Sequence, residues 1–138
     1  MLLLSIHKRG GYPTVGGSYV SGGCTSDYAS SEIKYAVDNW SNAKITQSDL
    51  KVDELGYKAR LITKEELTKT LGCTSNYCGN SSYTWTYNNN YYYWTMSPWN
   101  NSSSRVWFVN SVGYLNDFGV GTLDGVVRPV ITLYKSAL

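Results

Sequence analysis

The run Tyr91-Tyr92-Tyr93-Trp94-Thr95-Met96-Ser97-Pro98-Trp99 decides the architecture, together with Arg105-Val106-Trp107-Phe108-Val109-Asn110-Ser111-Val112-Gly113 and Gly125-Val126-Val127-Arg128-Pro129-Val130-Ile131-Thr132-Leu133. These three β-rich runs, separated by Asn, Ser and Gly, read as the core and binding face of one small domain. Arg105 to Val109 alternates, with Val106, Phe108 and Asn110 pointing one way and Arg105, Trp107 and Val109 the other. Ser111-Val112-Gly113 then turns the chain into Tyr114 to Phe118, which predicts a hairpin. Tyr91 to Met96 has aromatics on both parities, so it predicts a strand buried on one face and covered by loop on the other. Ser97-Pro98 ends that strand. Gly119, Gly121 and Gly125 loosen the next connection. Val126 to Tyr134 is predicted as the closing strand, with Pro129 at an edge or a bulge because it has no amide to donate.

Upstream, Leu2 to Lys8 predicts a first strand, stopped by Gly10-Gly11 and Pro13 and followed by a long irregular excursion to Thr25. Ile33, Ala36, Val37, Trp40 and Ala43 recur at helical spacing behind Ser30 or Ser31 as N-cap, while Lys34, Asp38 and Asn42 form the solvated face. A second helix starts at Thr63-Lys64-Glu65-Glu66, a capping box. Leu67 and Leu71 form its buried stripe and Gly72 its stop. Glu65 and Glu66 resemble a catalytic carboxylate pair, but in a first turn they serve the cap and the helix dipole. Asn76 to Asn90 reads as a long loop carrying Tyr77, Tyr83, Trp85 and Tyr87, with Trp85 turned inward.

The 138 residues fit one domain, able to bury roughly two-thirds of its unfolded surface. Net charge is +2 and the cations are scattered, which disfavours nucleic acid as a partner. Thirteen Tyr, five Trp and eleven Asn, against 16% charged residues, match the composition of recognition loops; a β-rich core favours aromatics too. Met1-Leu2-Leu3-Leu4-Ser5-Ile6 has its basic residues on the wrong side for a secretory signal, and no run is long enough to insert in a membrane. Cys73 and Cys78 bracket a short loop that one local bridge could close, leaving Cys24 over. Three cysteines without C-x-x-C spacing and one distant His make a poor zinc set.

Ala59-Arg60-Leu61-Ile62-Thr63-Lys64-Glu65-Glu66, Tyr93-Trp94-Thr95-Met96-Ser97-Pro98, Val106 to Gly113 and Val127-Arg128-Pro129-Val130-Ile131 together resemble a bacterial and phage family of unassigned function. That family is similar to the C-type lectin-like fold, near its formylglycine-generating-enzyme branch and the receptor-binding proteins diversified by retroelements. The resemblance implies an α+β C-type lectin-like domain over residues 1–138: two helices on a small, mostly antiparallel sheet with long loops. It also implies that strands usual upstream in the family are absent here. By the same resemblance, candidate contacts are Asn88, Asn89, Asn90, Tyr91, Tyr93, Trp99, Asn100, Asn101, Ser103, Trp107, Asn110, Tyr114 and Asn116. Arg128 is either a structural residue fixing the last strand, which is favoured, or a ligand contact.

No active site assembles from the sequence. His7 lacks a Ser or Asp signature, and no cysteine follows Cys78 to supply a copper-binding pair near the closing strands. Trp99-Asn100-Asn101 and Leu115-Asn116-Asp117 echo calcium-lectin elements faintly, with Asp117 and Asp124 the only acids nearby. The expectation is a non-catalytic module of a bacterial or phage surface protein, without cofactor, outside the cell or on its surface. It would bind a protein or glycan on another cell or host surface through a Tyr/Trp/Asn-rich face from the loop at 83–90 and the strands at 91–118, and substitution of Trp99 or Tyr93 by Ala would weaken binding without unfolding. The alternative is a structural repeat or subunit of a larger surface assembly, self-associating through an open sheet edge.

Overall fold

A computed structural model describes residues 25–87, 91–121 and 125–138, and the backbone of Leu2–Leu3 and Ile6–Arg9. The excursion from Gly10 to Cys24, the side chain of His7, Asn88 to Asn90 and Asp124 lie outside the described residues. The fold is α+β. Its strands are β1 (Leu2–Leu3), β2 (Ile6–Arg9), β3 (Ala59–Arg60), β4 (Tyr92–Pro98), β5 (Arg105–Val109), β6 (Leu115–Gly119), β7 (Gly125–Val127) and β8 (Val130–Ile131), and helix α1 spans Glu32–Lys44. They form a three-stranded sheet ordered β1-β8-β3 and a five-stranded sheet ordered β2-β7-β4-β5-β6. All pairings are antiparallel except β4 with β7.

Alternation in β4 and β5 sorts the core into two layers. Trp94, Val106 and Phe108 pack with Ile33 and Val37 of α1, whereas Tyr93, Val109 and Leu115 pack with Ile62, Leu67 and Leu71. Both faces of the five-stranded sheet are therefore covered, and β4, flanked by β5 and β7, is its middle strand. On the α1 side Phe108 and Phe118 meet edge to face at 4.5 Å, with Tyr92 and Trp94 around them. A Cβ on Gly125 would overlap the indole of Trp94, so this residue seats the ring as the first residue of β7 and does not loosen a connection.

Helix α1 follows its prediction. The Ser31 hydroxyl accepts from the Lys34 amide, and Lys34 pairs with Asp38 at 2.6 Å on the outer face. Trp40 is half-buried against the core, and Ala43 is exposed rather than buried. The capping box also forms, with the Glu66 amide donating to Thr63 Oγ1 (3.0 Å) and the Thr63 amide to Glu66 Oε1 (2.9 Å). The second helix then widens into a single π turn at Glu66–Thr70, and Gly72 (φ 81°) ends it with Leu67 and Leu71 buried.

Two predicted strands are each divided in two. Val127 and Val130 lie in different sheets, because Arg128-Pro129 carries the chain from one sheet to the other and Pro129 offers no amide to either ladder. The opening strand divides in step, β1 pairing with β8 and β2 with β7. The predicted single small sheet is thus two sheets sharing their terminal segments.

Candidate functional site

Cys73 and Cys78 form a disulfide across a two-residue hairpin, with Cα atoms 4.2 Å apart. Inside it, Thr74 and Tyr77 exchange backbone hydrogen bonds of 3.2 and 2.9 Å. Ser75 (φ 51°) and Asn76 (φ 56°) take the two left-handed positions that this tight turn demands. Asn tolerates that conformation through its short polar side chain, and Ser does so at greater cost.

A second turn leads from β5 into β6. Asn110 Oδ1 accepts from the amides of Val112 (3.1 Å) and Tyr114 (2.9 Å), and Gly113 has φ 94°. The two turns dock by backbone hydrogen bonds. Cys78 N donates to Gly113 O and Leu115 N to Asn76 O, both at 2.7 Å. The disulfide-closed hairpin thereby covers the first residues of β6, the outer strand of the sheet.

Docking brings three tyrosines around Gly113. The Tyr77 and Tyr114 rings lie 4.6 Å apart at 32°. A Cβ on Gly113 would sit 3.1 Å from Tyr87 Cδ2 and 3.2 Å from Tyr77 Cε1, so the absent side chain is what lets the rings converge. Tyr114 (48%) and Val112 (58%) are exposed, while Tyr77 and Tyr87 are half-buried, the Tyr77 ring lying between Gly79 and Tyr114. Tyr83, also exposed, lies 6.2 Å from the half-buried, inward-packed Trp85.

The candidate contacts do not form one patch. Tyr91 immediately precedes β4 on the side where β5 ends, so exposed Tyr91 and Tyr114, half-buried Asn110 and exposed Asn116 share the Gly113 end of the sheet. Trp99, Asn100, Asn101 and Ser103 occupy the β4–β5 turn at the other end, about 17 Å away along the five residues of β5. There Asn100 (φ 46°) and Asn101 (φ 61°) form a tight turn closed by Ser102 N to Trp99 O at 2.7 Å, and Ser26 Oγ donates to Ser102 O. Trp107 is half-buried between the ends, with Lys64 Nζ 5.0 Å above its ring.

Tyr93 is not a surface contact. It is 1% exposed, its hydroxyl donates to the Thr86 carbonyl, and the Arg128 guanidinium lies 4.7 Å from its ring centre. Being the middle strand, β4 has no outer face for it. Burial lowers the pKa of Arg128 and raises that of Tyr93, as expected for a cation and a phenol inside a core. Asn110 and Asn116 also serve locally, the second accepting from the Asp117 amide at 2.9 Å. Tyr77 was not among the sequence candidates, and Tyr87 entered only as part of the 83–90 loop. The signal for Tyr77 was its place inside the Cys73–Cys78 bracket.

A second cluster lines a cleft of about 580 Å³ with Lys51, Glu54, Thr70 and Thr132. Here the buried Arg60 binds Asp53 through Nε (2.6 Å) and Glu66 bidentately (2.7 and 2.8 Å), and Nη1 donates to Leu61 O. Burial raises the pKa of both carboxyls. This is outweighed at Asp53 by the Tyr57 amide and Arg60, and at Glu66 by Arg60 and the Thr63 amide, so both end below their ordinary values. Burial likewise opposes the Arg60 charge, and Glu66 and Asp53 overcome it to raise the pKa of Arg60. Satisfied on every side, this cluster ties β3 to the π turn and is structural. Among the described residues no three His, Cys, Asp or Glu side chains are placed to hold a metal, and no helix is long and apolar enough to cross a membrane. Asp117 is engaged by Arg105.

Comparisons with protein-family models, curated proteins and solved structures found no match.

Proposed function

We propose that this chain is a non-catalytic ligand-binding module whose contact surface is the tyrosine-lined end of the five-stranded sheet. The observation that carries this is the convergence of Tyr77, Tyr87 and Tyr114 on Gly113, fixed from below by the disulfide and two 2.7 Å backbone hydrogen bonds. Rings held this way contribute contact area with little further entropy to lose on binding. Val112, in the turn that carries Gly113, extends the surface. The paired terminal segments, the α+β layering and the motif order support reading the fold as C-type lectin-like. By the same resemblance, the module belongs on a bacterial or phage surface. The disulfide supports an oxidising compartment.

The test is binding of the purified domain to arrays of glycans and host-surface proteins, compared with Tyr114→Ala and Tyr77→Ala variants of unchanged circular dichroism. Selective binding lost in both variants is expected. Binding that survives both substitutions would refute this location.

One observation favours a second reading, a subunit of a larger surface assembly. Past Leu115, β6 has no strand on its outer side among the described residues, and such an edge can pair with another chain. Leu115 N points outward to Asn76 O, so the next outward amide along β6 is that of Asp117. Concentration-dependent dimerisation abolished by Asp117→Pro would favour that reading.

A further inference from the structure

We infer that the Tyr77–Tyr87–Tyr114 surface takes an uncharged saccharide, bound by ring stacking and neutral hydrogen bonds without a cation. This rests on the ligand-binding reading above and adds its chemistry. From Thr70 to Ser104 the chain carries no Asp, Glu, Lys, Arg or His, and from Val106 to Asn116 there is again none. Every segment that builds the surface falls within those limits: the disulfide hairpin, the Thr84–Thr86 turn and the turn into β6. The nearest charges along the chain are Lys69 at the end of the π turn and Asp117, which Arg105 engages. Segments without fixed charge offer an ionised ligand no ion partner of their own, so burying a sialic acid, a sulfate or a charged peptide side chain against them would cost desolvation with little return. Calcium needs several oxygen ligands, some of them charged, and these segments contain no carboxylate.

What the surface does offer is specific. A pyranose has one face of C–H groups and a rim of hydroxyls. The exposed ring of Tyr114, backed by Tyr77 at 4.6 Å, matches the face, and exposed Asn76 and Ser82, with Asn80 and Thr74 that already bond each other, supply amide and hydroxyl groups for the rim. The patch consists of a few rings on two short turns, whereas a stable protein interface engages about 20 residues on each side. A saccharide needs only one or two stacked rings.

The experiment titrates neutral oligosaccharides (gluco-, galacto-, manno- and N-acetylglucosamine-based), sialylated, sulfated and uronate glycans, and charged peptides against the whole chain. Each is measured at about 50 and 500 mM salt, a range over which exposed charge interactions are strongly screened, with and without calcium chelation. The expected result is binding to a neutral glycan that changes less than about twofold with salt or chelator. It weakens about tenfold in Tyr114→Ala, the scale of one lost stacking contact, and less than about threefold in Tyr114→Phe. Val112→Asp and Val112→Lys, at an exposed position beside the rings, shift that affinity in the same direction. Opposite shifts in the two Val112 variants, salt-sensitive binding, or exclusive binding of acidic glycans or peptides, any of them lost in Tyr114→Ala, would overturn the neutral-saccharide inference and leave the binding module standing. No binding across all panels by the folded chain, or binding indifferent to Tyr114→Ala and Tyr77→Ala, would overturn both.

Discussion

At one end of the five-stranded sheet, three tyrosines close on Gly113. At the other, Trp99 stands beside Asn100 and Asn101 in a turn of the same left-handed kind. Aromatic rings and asparagines are present at both ends, so composition does not separate them. Constraint does. The Gly113 end is held by a covalent bridge, two interlocked turns and a ring stack, whereas the Trp99 end is held by its own turn and by hydrogen bonds from Ser26 and Val120, with no covalent bridge among the described residues. A binding surface is recognised here by how many independent interactions fix its side chains, and residue type alone would have drawn it across both ends.

The largest test of that contrast sets interior against surface. Tyr93→Ala should cost about 3–5 kcal/mol in chemical denaturation, while Tyr114→Ala, half exposed, stays within about 0.5 kcal/mol. Equal losses would erase the distinction. Arg60→Ala, remote from both ends, should also cost about 3–5 kcal/mol by leaving Asp53 and Glu66 without their cation. Because those carboxyls have lowered pKa values, they stabilise the fold above their unfolded values of about 4. That contribution is lost as the pH falls through the lower folded values, and the wild-type acid transition should show it more strongly than Arg60→Ala.

Removing the bridge with Cys73→Ser/Cys78→Ser should cost about 2 kcal/mol by the chain-entropy account. Amide exchange should accelerate at Cys78 and Leu115 but not at Ser102. Uniform acceleration would mean the bridge supports the whole molecule and not one end. The smallest effects compare the turns themselves. Ser75→Gly should stabilise by about 1 kcal/mol by relieving a left-handed non-glycine residue, and Asn101→Gly by only a few tenths, because Asn accepts that conformation more readily. Thermal midpoints of the two variants decide this.

Features set by near neighbours were legible in the sequence. The Thr63–Glu66 box, the Ser31 cap, the alternation of β5 and the turn at Gly113 each depend on residues within four or five positions. Tyr93 was not legible as interior. In Tyr91-Tyr92-Tyr93-Trp94 both parities are aromatic, and alternation loses its meaning in a middle strand covered on both faces. Pro129 announced an irregularity but not its kind, since a bulge, an edge and a change of sheet all ask for a missing amide. The tyrosine cluster depends on a hydrogen bond from Cys78 to Gly113, between residues far apart in the chain. Periodicity cannot see such a contact.

The passage of both terminal segments from one sheet to the other also sets how the molecule answers tension. Leu2 faces Ile131 and Leu3 faces Val130, then Ile6 faces Val127 and Arg9 faces Val126, so the two segments run antiparallel through both sheets. Force applied at their outer ends would meet these pairs in succession, like a zip, and would open the three-stranded sheet before reaching the five-stranded one. The disulfide hairpin and its tyrosines lie outside that line of pull, so the contact surface would keep its shape while the seam began to part.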